Sequence, residues 1–376
     1  MIGKTVSHYR IVETLGSEGV ARRHFLGASM TRTATLMALS LAILVAALTA
    51  QDDAITAGRF PVLEGAYLGQ KPPGITPQLF APGIVSTGMD DLNAVFSSDG
   101  SEFFFTVKLP SRGRHVMLTM RAEHGRWSAP AVLPFSGRYN DADPALSPDG
   151  KTLYFASSRP LSAAGPEKDW DIWAVDRTAN GWGSPRRLDS PVNSEAMEVY
   201  PSIAGNGALY FSSGRPVGTK AGGIFRAASA AGLYPNVEVF DERIVSEYGG
   251  GDVFITPDER TIIFSSSQTG GYGNTDLYVS FRREDGAWTR PQNLGSTINS
   301  PYQEYCPSLS PDGKYFFFSS YKRPEQTSVP EMRSLDDIVR LYRQPYNGAG
   351  DVYWVDAAVI QTLRERSLRW SSRDAP

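Results

Sequence analysis

The sequence predicts an all-β chain folded as a five-bladed β-propeller, with six blades as the alternative if residues 55 to 73 hold an extra pair of strands. Three observations carry this expectation. One hairpin-like unit recurs five times: VFSSDGSEFFFTV from Val95, ALSPDGKTLYFASSRP from Ala145, SIAGNGALYFSSGRP from Ser202, FITPDERTIIFSSSQ from Phe254 and SLSPDGKYFFFSSYKRP from Ser308. Their turn residues Asp99, Asp149, Asn206, Asp258 and Asp312 stand 50, 57, 52 and 54 positions apart, the length of a four-stranded blade. Composition agrees, because Gly 36 and Pro 26 in 376 residues supply turns while 41% hydrophobic residues supply a core.

Each unit reads as four strands. A short strand meets a tight Asp-Gly or Asn-Gly turn and an aromatic-rich second strand follows, with the Gly supplying the positive φ such a turn needs. Glu259 replaces that Gly in the fourth unit, so a different turn is expected there. The third strand follows as DIWAV from Asp171, DLYVS from Asp276 and DVYWV from Asp351, with HVMLT from His115 and GIFRA from Gly223 as weaker copies. The fourth carries a Trp three residues before a Pro, at Trp127/Pro130, Trp182/Pro185 and Trp288/Pro291, followed by Leu133, Leu188 and Leu294. The fifth unit lacks that strand, and Pro77-x-x-Phe80 repeats its spacing before the first unit. The N-terminal segment is therefore expected to pair into the last blade and close the ring, leaving no exposed sheet edge. The aromatic residues are expected to pack between blades.

The runs PALSPDGKTLYFAS (144–157) and PSLSPDGKYFFFS (307–319), with the D-I-W/D-L-Y strand in register, resemble the WD40-like propeller repeats of the TolB type over roughly residues 75–360. The resemblance implies the propeller fold. The family includes peptide-binding periplasmic proteins and propellers fused to peptidases, which implies binding as a function.

Outside the repeats, residues 36–50 (LMALSLAILVAALTA) form the only long apolar run, with Arg32 before it and small residues at its end. Residues 30–50 are read as a signal peptide, 51–74 as a lead-in, 75–360 as the propeller and 361–376 as a tail forming a short helix that frays. A periplasmic or secreted location follows, with no stable membrane span after cleavage. Residues 1–29 open with MIGKTVSHYRIVETLGSEGV, which resembles the start of bacterial serine/threonine protein kinases; Gly16 and Gly19 stand where loop glycines would. No VAIK lysine, HRD loop or DFG motif follows, so this stretch is read as a gene-fusion remnant or a misplaced start and no phosphoryl transfer is expected.

In a propeller, loops joining strands one to two and three to four share one face. Here they are tight turns, whereas the opposite face carries long loops, the longest between Tyr321 and Gly350. Within it Ser334 is placed as an N-cap with Asp337 three residues on, and Leu335, Ile338, Val339 and Tyr342 form one helical stripe ended by Pro345, so one short inserted helix is expected, docked on its blade. Carboxylates recur at the starts of the first strands: Asp91, Asp141, Glu198 and Glu304, then two residues later Asn93, Asp143, Tyr200, Asp252 and Cys306. The candidate ligand-binding residues are Asp91, Asp141, Asp143, Glu198, Asp252 and Glu304, gathered at one mouth of the channel where like charges focus potential on a cationic ligand. The structural alternative pairs them with Arg159, Arg215 and Arg323.

Catalytic signatures are sparse. There is no G-x-S-x-G, the chain after the signal peptide keeps only His115 and His124, and Cys306 is the single cysteine. No catalytic residues, metal or cofactor are expected. A formal charge of −3 gives no sign of a nucleic-acid partner. The expected role is that of an exported, monomeric, non-catalytic binding module for a protein or peptide partner in the cell envelope. The alternative is a carbohydrate-active hydrolase using carboxylates at the channel mouth.

Overall fold

The computed structural model describes residues 60–371 other than 111–112, 163–164, 231 and 324–330. The kinase-like stretch and the signal peptide lie outside the described residues. Among those described, no helix is long and apolar enough to cross a membrane.

The chain enters as β1 (Gln78–Leu79), which pairs with the last strand of the sequence, so the ring closes as the spacing of Pro77 and Phe80 predicts. Blade 1 follows with β2 (Asp90–Phe96), β3 (Glu102–Lys108), β4 (His115–Glu123), β5 (Arg126–Trp127) and β6 (Ala131–Val132). Blade 2 holds β7 (Asp141–Leu146), β8 (Thr152–Ser157), β9 (Asp171–Thr178), β10 (Gly181–Trp182) and β11 (Arg186–Arg187). Blade 3 holds β12 (Glu198–Ile203), β13 (Leu209–Ser213), β14 (Gly223–Ala227) and β15 (Val237–Val239). Blade 4 holds β16 (Val253–Ile255), β17 (Thr261–Ser266), β18 (Asp276–Phe281) and β19 (Gln292–Asn293). Blade 5 holds β20 (Glu304–Leu309), β21 (Tyr315–Ser320) and β22 (Asp351–Asp356), with β1 as its outer strand. The first strands touch all the way round, β2 to β7, β12, β16, β20 and back to β2, and so surround a central channel.

The second strands, and the inner parts of the third strands of blades 2 to 5, are buried on both faces, since each blade lies between two others; this is why they read as unbroken apolar runs such as Phe103–Phe105 rather than alternating. Five clusters form the core, one at each blade-to-blade seam. The seam between blades 5 and 1 is the most aromatic: Phe80, wholly buried, stands 5.2 to 6.1 Å from the rings of Phe96, Phe103, Phe317 and Trp354.

Several local expectations are corrected. The fourth strands of blades 1 and 2 are broken in two, because Pro130 and Pro185 have no N–H for the ladder, and each half pairs separately with the third strand. The turn between first and second strands is wider than a two-residue hairpin: Gly100 N–H donates to the Ser97 carbonyl (2.8 Å) and Ser97 N–H to the Glu102 carbonyl (2.9 Å), while the Asp99 carboxylate accepts from Ser97 Oγ and Ser101 N–H. Glu259 does not change this turn. It adopts the glycine-like φ of 51° itself, and its carboxylate reaches blade 3 to accept from Tyr210 Oη, Asn206 Nδ2 (2.8 Å) and Arg226 Nε (3.1 Å).

Three α-helices occur where one inserted helix was expected. The unforeseen α1 (Glu242–Tyr248) is capped by Asp241, whose carboxylate accepts from the N–H groups of Arg243 and Ile244, and buries Ile244, Val245 and Tyr248 between blades 3 and 4. Helix α2 (Leu335–Tyr342) has the expected cap, with Ser334 Oγ accepting from Asp337 N–H (3.1 Å). It is not docked through its stripe: Leu335, Ile338 and Tyr342 are 73%, 50% and 58% exposed. The helix expected in the C-terminal tail is α3 (Ala358–Ser371), which is docked: Val359, Ile360 and Leu363 pack on the seam of blades 4 and 5. The lead-in also joins the propeller: Trp127 N–H donates to the Leu63 carbonyl (2.9 Å), and Tyr67 packs edge-on against Phe96 and Tyr315.

Candidate functional site in the central channel

The six candidate acids fall into two groups. Asp91, Asp141, Glu198 and Glu304 are wholly buried inside their blades and do not line the channel. Three of them clamp the connection that enters the blade: Asp91 accepts from Thr87 N–H and Oγ1 (2.6 and 2.8 Å), Glu198 from Ser194 N–H and Oγ (2.9 and 2.6 Å), and Glu304 from Ser300 N–H and Oγ. Serines at the ends of the second strands complete the clamp, with Ser157 donating to Asp141 (2.7 Å), Ser213 to Glu198 (2.7 Å) and Ser320 to Glu304 (2.6 Å). Arg159 lies 2.9 Å from Asp141 and Arg215 3.5 Å from Glu198, so these acid–arginine pairs tie strands within a blade rather than between blades. Burial raises the Asp141 carboxyl to about 6 even with Arg159 pulling it down, and raises Glu304 and Asp91 as well. The expected crowd of acids at one mouth is thus divided: positions two apart share a face in a regular strand, and a break in the strand register separates them here.

Asp143 and Asp252 do face the channel, together with Asn93, Tyr200 and Cys306. A β-bulge in each of four first strands puts them there. The register slips between Leu92 and Val95, Ala142 and Ala145, Val199 and Ser202, and Tyr305 and Ser308, and the residue in the slip takes a left-handed backbone: Asn93 at φ 63°, Asp143 at 57°, Tyr200 at 52° and Cys306 at 50°. In blade 4 Asp252 precedes β16 and is held by Ser265, whose Oγ accepts its N–H (2.9 Å). The five residues form a ring linked across seams. Asn93 Nδ2 donates to Asp143 Oδ1 (3.4 Å), Tyr200 N–H to Asp143 Oδ2 (3.4 Å), and Cys306 N–H to Asp252 Oδ2 (2.7 Å).

The ring is electrostatically unusual. Burial pushes the Asp143 carboxyl well above its ordinary range, and the neighbouring Asp252 carboxylate pushes it further. Asp252 is raised to about 6 by burial, with hydrogen bonds from Cys306 and Tyr200 acting against the rise. Burial also pushes up the Tyr200 hydroxyl and the Cys306 thiol, which keeps both neutral. Asn93, only 7% exposed, leaves Oδ1 without a hydrogen-bond partner.

Beyond the ring the channel widens into a cavity of about 570 Å³. Its walls include Val95, Phe96, Ala145, Ile203, Phe254 and Leu309, so it is apolar along its length and polar at the ring. Its open end lies among the tight turns, at Ser98, Pro148, Asp258 and Pro311, and not on the long-loop face where binding was expected. On the long-loop side Leu92, Tyr305 and Cys306 pack together with Tyr200 and Tyr321 across the channel axis. Helix α3 reaches the open end, where Ile360, Gln361 and Arg364 contribute to the lining. This contribution was missed in the sequence, although Val359, Ile360 and Leu363 already had the spacing of a docked helix. Among the described residues no group of three or more His, Cys, Asp or Glu is placed to hold a metal ion. His115 lies outside the cavity against Trp170, and His124 occupies a turn at φ 52°.

No protein-family model and no curated protein matches the sequence. Solved structures do match in fold. One described as TolB from Agrobacterium tumefaciens has 17% identity and a TM-score of 0.42 over 71% of this chain and 90% of that one. An α-L-arabinofuranosidase from Lactobacillus brevis has 12% identity and a TM-score of 0.44 over 72% and 91%. A puromycin-hydrolyzing peptidase from Mycobacterium tuberculosis has 14% identity and a TM-score of 0.36 over 67% and 46%.

Proposed function

We propose that the chain is an exported, non-catalytic binding module that admits the end of a peptide or protein partner of the cell envelope into its central cavity from the tight-turn face. The observation that carries this reading is the cavity itself, a shaft of about 570 Å³ with apolar walls that ends in a polar ring. Export rests on the apolar run at 36–50.

Random peptides displayed on phage provide the test. Peptides selected by the parent should be lost with Ala145→Phe, which fills the shaft, and with Gln361→Trp, on an exposed face of α3 at the opening. Unchanged selection by both folded variants refutes the cavity as the site.

A second reading, hydrolysis, is favoured by one observation: Asp143 and Asp252 line the same cavity and burial raises both carboxyls, as an acid working near neutral pH would need. Asp141 and Glu304 are sealed in their blades. Turnover of chromogenic glycosides that is abolished by Asp143→Asn would favour this second reading over the first.

A further inference from the structure

We infer that the ring end of the cavity is a primary-ammonium site, in which Asn93 Oδ1 and the carboxylates of Asp143 and Asp252 accept the three N–H groups of an ammonium carried on an apolar body. The inference rests on the proposed cavity binding and adds the chemistry of the ligand.

The acceptors are present and underused. Asn93 Nδ2 faces Asp143, which assigns the amide orientation and leaves the buried Oδ1 unpartnered in a residue that lines the cavity. A buried acceptor without a partner costs stability and marks a place where a donor belongs. Asp143 is held only by two contacts of 3.4 Å, in contrast to Glu198, whose bonds from Ser194 and Ser213 are 2.6 to 2.9 Å. Glu198 and Glu304, inside their blades, accept short bonds on both oxygens, while Asp143, facing the cavity, accepts only long ones.

The geometry selects the kind of cation. The three acceptors come from blades 1, 2 and 4 and converge on the channel from different sides. An ammonium offers three donors around one compact charge, whereas a guanidinium is a flat fork that prefers two parallel acceptors. A metal ion finds no suitable cluster among the described residues.

The depth also fits. From Asn93 to the end of β2 at Phe96 the strand advances about 10 Å at about 3.3 Å per residue, the length of a tripeptide in extended form. Arg364 at the opening has its charge at the opposite end from the two carboxylates, so the ammonium enters first. Free peptide N-termini and small alkylamines share this chemistry.

The raised carboxyls supply an independent readout. Burial raises both acids, and an ammonium beside them favours their charged forms, so binding releases protons. Around them Tyr200 and Cys306 stay neutral, and Asp258 and Arg364 lie at the far opening. Titration calorimetry of the purified protein with Ala-Val-Leu, its N-acetyl form and hexylamine, in two buffers of different ionisation enthalpy, tests the site.

Binding of the free tripeptide with proton release, weakened about tenfold or more by acetylation, by Asp143→Asn and by Asn93→Gly, supports the inference. Glycine keeps the left-handed backbone at position 93, so that variant removes the acceptor and the Nδ2 donor to Asp143 without straining the bulge. Hexylamine binding without tripeptide binding also supports the ammonium site and assigns it to small amines. Equal binding of free and acetylated peptide, lost in Ala145→Phe, overturns the ammonium inference and leaves cavity binding intact. Absence of binding by all three probes at millimolar concentration overturns the inference; the phage selection then decides cavity binding separately.

Discussion

Replacing Asp252 by Asn should stabilise the folded chain at neutral pH, and the gain should vanish in acid. Asp252 is 7% exposed, and burial raises its carboxyl from the ordinary 3.8 to about 6. Between about pH 4 and pH 6 the folded chain therefore holds more protons than the unfolded one, so stability falls as pH rises through that window. The interval of roughly two pH units corresponds to about 3 kcal/mol at roughly 1.4 kcal/mol per unit. Asn has nearly the same shape and its Oδ1 can still accept the Cys306 N–H, but it carries no charge to desolvate. Asp252→Asn should thus gain up to about 3 kcal/mol at pH 8 and close to nothing below about pH 4. Urea unfolding midpoints of parent and variant across that range measure it. A variant less stable than the parent at pH 8, or a difference that does not change with pH, would refute the reasoning, because either result means the carboxylate is stabilised rather than strained by its surroundings.

Three further perturbations probe the frame. Phe80→Ala removes the ring at the centre of the closing seam and should cost about 3 to 5 kcal/mol in urea unfolding; a loss below about 1 kcal/mol would show that closure does not depend on it. Arg159→Ala strips the partner from the buried Asp141 and should cost about 3 kcal/mol or more, with part of the loss recovered in the Arg159→Ala, Asp141→Asn double variant; strict additivity in that cycle would mean the two do not interact. Glu259→Ala leaves Tyr210 and Arg226 without their shared acceptor while keeping a strained left-handed turn, and should cost about 1 to 3 kcal/mol by thermal unfolding. Glu259→Gly relieves the strain and should be the milder variant; the reverse order would assign the effect to the backbone alone.

The frame was legible because a propeller repeats its local rules. Five Asp- or Asn-centred turns gave the blade count, and the displaced spacing of Pro77 and Phe80 located closure, since both depend on residues near one another in sequence. The site was legible in part. Spacing placed Asp141 and Asp143 two residues apart and suggested one shared surface, but the bulge between Ala142 and Ala145, with its equivalents in blades 1, 3 and 5, decides which of the two positions reaches the channel. That bulge has no sequence signal of its own, because Asn, Asp, Tyr and Cys adopt the same left-handed backbone in four blades. Loop length likewise pointed to the wrong face. The long-loop side is filled by side chains from distant positions, Leu92, Tyr305 and Tyr321, and only the folded ring brings them together.

The contrast between the two sets of acids argues for where function resides. Asp141, Glu198 and Glu304 are buried carboxylates whose desolvation is offset by serine, backbone and arginine donors from their own blades, as structural acids should be. Asp143 is buried with only two long contacts and Asp252 with one short backbone bond, from Cys306, and beside them Asn93 Oδ1 has no partner. Their backbone adds to the cost, because non-glycine residues in left-handed bulges lie in a sparsely populated region worth on the order of 1 kcal/mol each. A fold needing only a filled channel would be served better by small or apolar residues at these positions, as it is along the walls at Ala94, Ala145 and Leu309. At the ring a left-handed backbone, raised carboxyls and an unpartnered acceptor fall together on residues that line one cavity, and local rules broken with no packing gain are what a binding site selects.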